Sequence, residues 1–331
     1  MKVLIIRFSS IGDIVITTPI IRAVRQKFPE AEIDFLTKSQ FSELISNNRN
    51  LNSVYSLDTD NEQETISKLK KEDFDIVIDL HKNLRTRKLK AHLKPAKWYS
   101  YKKLNIQKWL LSNFKINLMP DKHLVDRYFD GLKELDLVND QEGLDYHFPA
   151  DFSMNLQDFG LESHRFICTA IGGTYQTKQI PEDVILNVIK RLNEPIVLIG
   201  GGEADEQKSK SITQQLPANR VVNLCNKLSF HESAYVIKNA NKFITGDTGM
   251  MHIASAFDTP IISIWGNTHP HFGMYAYRPK KGQIHNHIVP LKCNPCSKLG
   301  SKVCPRGHFR CMVEQDIGQI VKNCLSIEST Q

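Results

Sequence analysis

Three stretches of the chain hold residue types that could do chemistry, each just after an apolar run of strand length. In "RFSSIGDIVITTP" (residues 7–19) the carboxylate of Asp13 stands close to Ser10 and Gly12, after Val3-Leu4-Ile5-Ile6. A carboxylate at the mouth of a sheet could take a proton from a sugar hydroxyl. Spacing alone favours a plainer role, a cap on the turn Ile14–Thr17. Thr18 followed by Pro19 reads as N-cap and first helical position, so Asp13 is expected in a short turn before that helix. No GxGxxG is present, so the fingerprint for a dinucleotide pyrophosphate is missing.

The second stretch is "TAIGGTYQTKQIPED" (169–183). Gly172 and Gly173 would let backbone amides approach a phosphate, Thr174 and Thr177 offer hydroxyls, and Lys178 adds a point charge before a helix start at Pro181. This suits a nucleotide diphosphate, although it is not a P-loop. In "LIGGGEADE" (198–206), Glu203 could accept hydrogen bonds from a ribose or serve as a helix-start acid. The third stretch, "TGDTGMMHIASAFDTPIISIWGNT" (245–268), is the densest. Asp247, Thr248 and Gly249 make a strand-to-helix turn with amides facing an anion. Met250 follows, and His252 is expected in the first helical turn. The loop "WGNTHPHFGMYAY" would line a cleft.

A cysteine run, "CNPCSKLGSKVCPRGHFRC", places Cys293, Cys296, Cys304, His308 and Cys311 within nineteen residues. The C-x2-C spacing suits a structural zinc, but the second pair is not a knuckle. The other reading, a Pro/Gly-ordered loop with free thiols, is the stronger one.

These residues need elements to hold them. Apolar strand-like runs at 2–7, 32–36, 53–57 and 74–80 alternate with helix-length polar segments such as 61–72. After a helical middle, about 121–138, the pattern restarts at 165–170, 195–200, 220–224, 242–246 and 260–266. Near-continuous apolar strands separated by helices mean parallel sheets covered on both faces. Two such series in 331 residues mean an α/β chain of two doubly wound, Rossmann-like domains. The break falls in the polar stretch 140–163, giving domains 1–155 and 156–331, with a last helix at about 313–325 packing back across them. In open parallel sheets ligands bind beyond the carboxyl ends of the strands, where all three stretches lie.

The net charge is +7, from 43 basic and 36 acidic residues. Eleven of the cations fall between Asp79 and Asp121, a window without acids. The positive field is therefore local and points to an anionic partner. No stacking motif for nucleic acid accompanies it. The window also holds Trp109, Leu110, Leu111 and Phe114, which could touch lipid. No apolar run is long enough to cross a bilayer, Met1-Lys2-Val3 does not open a signal core, and seven cysteines fit a reducing compartment. The expected location is the cytoplasm, with peripheral contact to the inner membrane through residues 82–115.

The chain resembles glycosyltransferase family 9, the lipopolysaccharide heptosyltransferases. The likeness rests on "RFSSIGDIVITTPIIRAVRQKFPEAEIDFLT" (7–37), "GGTYQTKQIP" (172–181), "GDTGMMHIASAF" (246–257) and "PIISIWGNTHPHFGMY" (260–275). It departs at Ile180, where the family often has an aromatic. The resemblance implies a GT-B architecture facing a central cleft, with the acceptor on the N-terminal domain and the nucleotide sugar on the C-terminal one. It implies Asp13 as base, Lys178, Thr174 and Glu203 as phosphate and nucleoside contacts, and Asp247 to Met250 at the donor. Gly172, Gly173 and His252 join the expected donor site; Ser10, Gly12, His81, Arg85 and Arg87 the acceptor site.

The expected reaction is heptose transfer from ADP-heptose with inversion, to a lipopolysaccharide core or related glycan. No cofactor or divalent metal is expected, since Asp73-Phe74-Asp75 precedes its strand, at the wrong end of the sheet for a metal-nucleotide site. The expected partners are the nucleotide sugar and an anionic glycolipid, without nucleic acid, for a monomer. The competing readings are a sugar-nucleotide epimerase or hydrolase on this fold, and a basic membrane or nucleic-acid adaptor without catalysis.

Overall fold

The computed structural model describes residues 1–277 and 284–326. Its contacts divide the chain into two compact units. The first takes residues 1–104, 122–150 and Tyr277; the second takes 105–121, 151–276 and 284–326.

In the first unit β1 (Lys2–Ile6), β2 (Glu32–Thr37), β3 (Ser53–Ser56), β4 (Ile76–Asp79) and β5 (Lys97–Ser100) form a parallel sheet in the order β3-β2-β1-β4-β5. Ile5 of the central strand sits opposite Phe35 on one side and Ile78 on the other. Val3 to Ile6 are fully buried, as an all-apolar run in a two-sided sheet requires. The first four strands lie where the apolar runs predict them. β5, "KWYS", carries a lysine and a serine because it is an edge strand, and edges keep such residues. The helices are α1 (Ile11–Val15), α2 (Thr18–Lys27), α3 (Glu62–Lys71) and α4 (Leu84–Leu93). The next, α5 (Asn105–Phe114), groups with the second unit, and α6 (Leu124–Gly131) returns to the first.

Two local expectations change here. Asp13 is not in a turn before the helix but inside α1, at its third position. Thr17, not Thr18, occupies the N-cap of α2. The stretch from 140, expected as the break between the domains, is held down over its first part. Arg22 of α2 donates to both carboxylate oxygens of Asp140 (2.7 and 2.8 Å), to the Gly143 carbonyl (3.0 Å) and to Asp145. Its hydrogen bonds, foremost, pull the Asp140 carboxyl down to about 2.

Asp34 stands out inside this sheet. It is fully buried in β2, where the Ser53 backbone amide only partly offsets the cost of burying its charge. Burial, helped by Glu32 and Glu72, pushes its carboxyl up to about 6 from 3.8. A group shifted upward favours the fold while protonated and opposes it once ionised. Its penalty is therefore absent below about pH 4, grows from there to pH 6, and is complete above. Asp34→Asn is expected to raise stability at pH 7.5 by about 2 to 3 kcal/mol, and to leave it unchanged near pH 4. Thermal unfolding across that range checks it; a gain that does not depend on pH would refute the account.

In the second unit β6 (Ile167–Ala170), α7 (Glu182–Ile189), β7 (Ile196–Ile199), α8 (Glu203–Gln214), β8 (Val221–Asn223), α9 (Phe230–Lys238), β9 (Lys242–Gly246), α10 (Gly249–Ala254), β10 (Ile261–Trp265) and β11 (Ile284–Ile288) follow in sequence. The parallel sheet runs β11-β10-β9-β6-β7-β8. Alternate strand residues feed two cores. Ile196 and Leu198 face one layer with α7, while Val197 and Ile199 face the other with α9 and α10. β11, "IHNHI", is an edge strand whose imidazoles hide its period.

The C-terminal segment forms α11 (Arg310–Val313) and α12 (Ile317–Ser326) rather than one helix over 313–325. Ile320, Val321 and Cys324 of α12 complete the α7 core of the second unit. α12 thus seals one face of the sheet of its own unit.

Candidate active site

In the first unit the site grows from the carboxyl ends of β1 and β4. Ser10 is the N-cap of α1 and Asp13 its third residue. Ser10 donates to Asp13 Oδ2 from both Oγ (2.8 Å) and backbone N (3.2 Å). The two donors together tether the carboxylate to the start of the helix. Arg7, buried just past β1, forms an ion pair with the Asp13 carboxylate. Its other donors reach the Ser9 carbonyl (2.9 Å), the Leu80 carbonyl (2.5 Å) and Tyr128 Oη (3.4 Å). A guanidinium committed on three sides presents its charge in one direction, and Asp13 takes it. Gly12 is buried inside α1.

His81 follows β4. Asp79 Oδ1 accepts from the amides of His81 (3.0 Å) and Lys82 (2.6 Å), which turns the chain into α4. The His81 ring packs edge-on to Phe8 at 5.0 Å, and among the described residues its Nδ1 has no hydrogen-bond partner. Burial first, then Arg7 and Lys103, push this imidazole down to about 3, so it is neutral at physiological pH. The Arg85 guanidinium lies 5.7 Å over the Phe8 ring. Arg85 thus joins Asp13, Ser10 and His81 around the ends of β1 and β4. Arg87 does not, because two positions along a helix turn a side chain to nearly the opposite face; it is exposed there.

In the second unit three neighbouring strand ends supply the site. Lys178, in the loop after β6, pairs through Nζ with Asp247 Oδ2, just past β9, at 2.8 Å. Thr268, beyond β10, donates its hydroxyl to the same oxygen at 2.7 Å. Asp247 is nearly buried at 9% side-chain exposure and Lys178 partly open at 19%, so the ammonium keeps protons free for another acceptor. The loop can lie this close because of Gly246, where a Cβ would stand 2.2 Å from the Lys178 carbonyl. Thr174 is exposed on the same loop, which Gln179 closes by donating to the Gly173 carbonyl at 2.7 Å. Thr248 is the N-cap of α10, and its Oγ1 lies 3.0 Å from Thr245 Oγ1. Gly249 and Met250 open α10. Glu203 is exposed as the first residue of α8, after Gly202 at φ +88°.

His252 departs from expectation. It sits in the second half of the six-residue α10, not its first turn, and is buried.

Several residues that shape the site escape sequence reasoning. Arg7 lies within the first chemical stretch but reads there as an ordinary strand-end cation. Asp205 and Lys208, on α8, support the glycine loop from behind. A Cβ at Gly172 would fall 1.9 Å from Asp205 Oδ2, which accepts from the Gly201 amide at 2.9 Å. Lys208 Nζ donates to the carbonyls of Ile171 (3.1 Å) and Ile180 (2.6 Å), at the two ends of the loop. Burial pushes its ammonium down to about 8. Their i, i+3 spacing in "DEQK" was the one visible signal that both share a face.

The cysteine run has a clear structural task. Thr177 Oγ1 donates to the Ser301 carbonyl and accepts from the Ser301 amide, both at 2.8 Å. The Cys296 amide donates to the Asn267 carbonyl (2.9 Å) and Asn294 Nδ2 to the Gly266 carbonyl (3.0 Å). The run therefore braces the Lys178 loop and the end of β10 together. Cys293 Sγ lies 3.7 Å from His308 Nε2, and Cys296 Sγ donates to the Cys293 carbonyl at 2.8 Å. Burial, chiefly, raises Cys296 to about 11 and Cys311 to about 12; Cys304 is half-buried. Among the described residues no group of three or more His, Cys, Asp or Glu is placed to hold a metal ion.

Residues 63–303 match the model of the glycosyltransferase family 9 (heptosyltransferase) family. That range includes Lys178, Glu203 and Asp247, while Asp13 precedes it. The chain is 26% identical over 278 residues to lipopolysaccharide heptosyltransferase 3 of Escherichia coli K12, covering 78% of this chain and 80% of the relative. Among solved structures, a glycosyl transferase family 9 protein from Veillonella parvula superposes with a TM-score of 0.76 at 19% identity, over 98% of this chain and 96% of the other. The E. coli ADP-heptose lps heptosyltransferase II does so with a TM-score of 0.73 at 16% identity, over 98% of each chain. These neighbours share the GT-B fold of two parallel-sheet α/β domains. The two sheets, the family match over most of the chain and the likeness of its relatives lead to one conclusion: the chain belongs to glycosyltransferase family 9, the heptosyltransferases, and is a glycosyltransferase.

Proposed function

We propose that the protein transfers a heptose from ADP-heptose, with inversion at the anomeric carbon, to a lipopolysaccharide core or related cell-surface glycan at the cytoplasmic face of the inner membrane. The observation that carries this reading is the Lys178–Asp247–Thr268 cluster at three adjacent strand ends. An ammonium oriented by a buried carboxylate, with an exposed threonine on its own loop, suits a diphosphate that gains charge as it leaves. The names of the similar proteins, lipopolysaccharide heptosyltransferase 3 and ADP-heptose lps heptosyltransferase II, favour this donor and acceptor class.

In this mechanism Asp13 accepts the proton of the attacking hydroxyl, whose oxygen bonds the anomeric carbon as the bond to the diphosphate oxygen breaks. Lys178 and the Thr174 hydroxyl receive the charge on the departing ADP. Glu203 meets the ribose, and Asp247 to Met250 the donor sugar. Ser10, His81 and Arg85 meet the acceptor, and neutral His81 can either donate to or accept from a sugar hydroxyl. The single displacement gives inversion. The protein acts as a monomer with domains 1–155 and 156–331.

ADP is expected to raise the thermal midpoint more than GDP or UDP do, since a ligand at a hundred times its Kd adds about 2.7 kcal/mol. Incubation with ADP-heptose and a heptose-deficient core acceptor is expected to give a product of inverted anomeric configuration by NMR. Consumption of ADP-heptose at the same rate without acceptor would overturn the transferase reading. So would the lack of any shift with ADP.

A further inference from the structure

The second unit carries a surface that transfer chemistry does not use. α5 is anchored by buried Leu111, while Ile106, Trp109 and Phe114 point outward, followed by exposed Ile116 and Leu118. Trp109 is 54% exposed and Phe114 58%, although their rings meet at 5.1 Å. Leu110 and Leu111, grouped with them by the sequence pattern, instead turn inward by half and fully.

The end of α5 reaches the cysteine run. Lys115 Nζ donates to the Ser112 carbonyl (2.5 Å) and to the Pro295 carbonyl (2.6 Å). From that junction the run exposes Leu299 and Val303, the latter 69%. Lysines 298 and 302 flank Leu299, and Lys302 adjoins Val303; all are exposed, as are Lys292 and Arg306. Seven of the twelve large apolar side chains exposed among the described residues lie on these two segments. Neither contains an acid: none occurs between Asp79 and Asp121, nor between Asp258 and Glu314.

We infer that α5 and the 292–306 loop form one docking face for a bilayer containing anionic lipid. Exposed aromatics are matched to the headgroup boundary. Aliphatic tips between lysines fit the same place, since the tip enters the acyl edge while the ammonium stays with the phosphates. No helix among the described residues is long and apolar enough to cross a membrane, so this face lies on the surface. The inference deepens the reading of a lipid-borne acceptor and rests on it, while its test reads vesicle binding separately from transfer.

The full chain is sedimented with vesicles of phosphatidylcholine alone or containing phosphatidylglycerol. Binding is expected only with phosphatidylglycerol, and to fall steeply as salt rises from about 50 to about 500 mM. Trp109 emission is expected to shift to the blue. The pair Trp109→Ser with Phe114→Ser, and the pair Lys298→Glu with Lys302→Glu, are each expected to weaken binding about tenfold or more. Lys68→Glu, on α3 of the other unit, is expected to bind as the parent does. An unchanged ADP-induced thermal shift in both pairs shows that they remain folded. Failure of the parent to bind anionic vesicles would overturn the proposal. So would pairs that bind like the parent, binding to RNA of equal charge in place of vesicles, or a stable dimer lost on Trp109→Ser. Vesicle binding together with failed heptose transfer to a detergent-solubilised acceptor would instead count against the proposed reaction alone.

Discussion

Asp13→Asn is expected to lower kcat by about 10²- to 10⁴-fold, the range for losing a general base, while ADP still binds. The substitution keeps the shape of the side chain and an oxygen to accept from Ser10. It removes the proton affinity, and it removes the anion facing Arg7. Because Arg7 is buried with its remaining donors already committed, an uncompensated cation there is expected to cost stability as well. The two effects separate experimentally. Turnover measured well below the new thermal midpoint reports chemistry alone, and Arg7→Met in the Asp13→Asn background should return stability without returning rate. A folded Asp13→Asn protein with parental kcat would remove Asp13 as the base and leave the plain helix-capping role that its place in α1 also allows.

Lys178→Ala is expected to cost about 10²- to 10³-fold in kcat, comparable to removing one preorganised charge donor from a transition state. It also strips the nearly buried Asp247 of its cation, while the Thr268 hydroxyl stays in place. Stability should therefore drop by a few kcal/mol at most. Adding Asp247→Asn removes the stranded charge. The double variant should regain stability and stay inactive if Lys178 acts on the leaving group, and regain both if the pair only holds the fold. Lys178→Arg is expected to recover little, because a planar fork does not reproduce a compact ammonium.

Much of the molecule was legible from residue pattern. Buried strands announce themselves as apolar runs, so all the interior strands of both sheets appear where the sequence puts them. The strands that stayed hidden, β5 and β11, are edges, where one side faces no neighbour and polar residues are kept. The candidate site residues that local pattern could pick out were those at strand ends carrying charged side chains, Asp13, Lys178 and Asp247 among them. Partners brought in from distant sequence could not be read that way. The Arg7 grip on the Leu80 carbonyl spans seventy-three residues, and the Thr177 contact with Ser301 spans one hundred and twenty-four. Arg22 is similar: its hold on Asp140 makes ordered structure of residues that look like a linker. His252 was misplaced for a different reason. Local pattern gave its position along the chain but not that so short a helix turns it into the core.

The bond between Thr177 and Ser301 bears on how this chain can be re-engineered. A loop of other sequence grafted over 172–180 alone would lose the Thr177 hydroxyl that holds Ser301 of the far segment. The natural unit of exchange is the pair of segments, 172–180 together with 293–304, and chimeras cut at any narrower boundary should keep their sheets yet misaim the lysine.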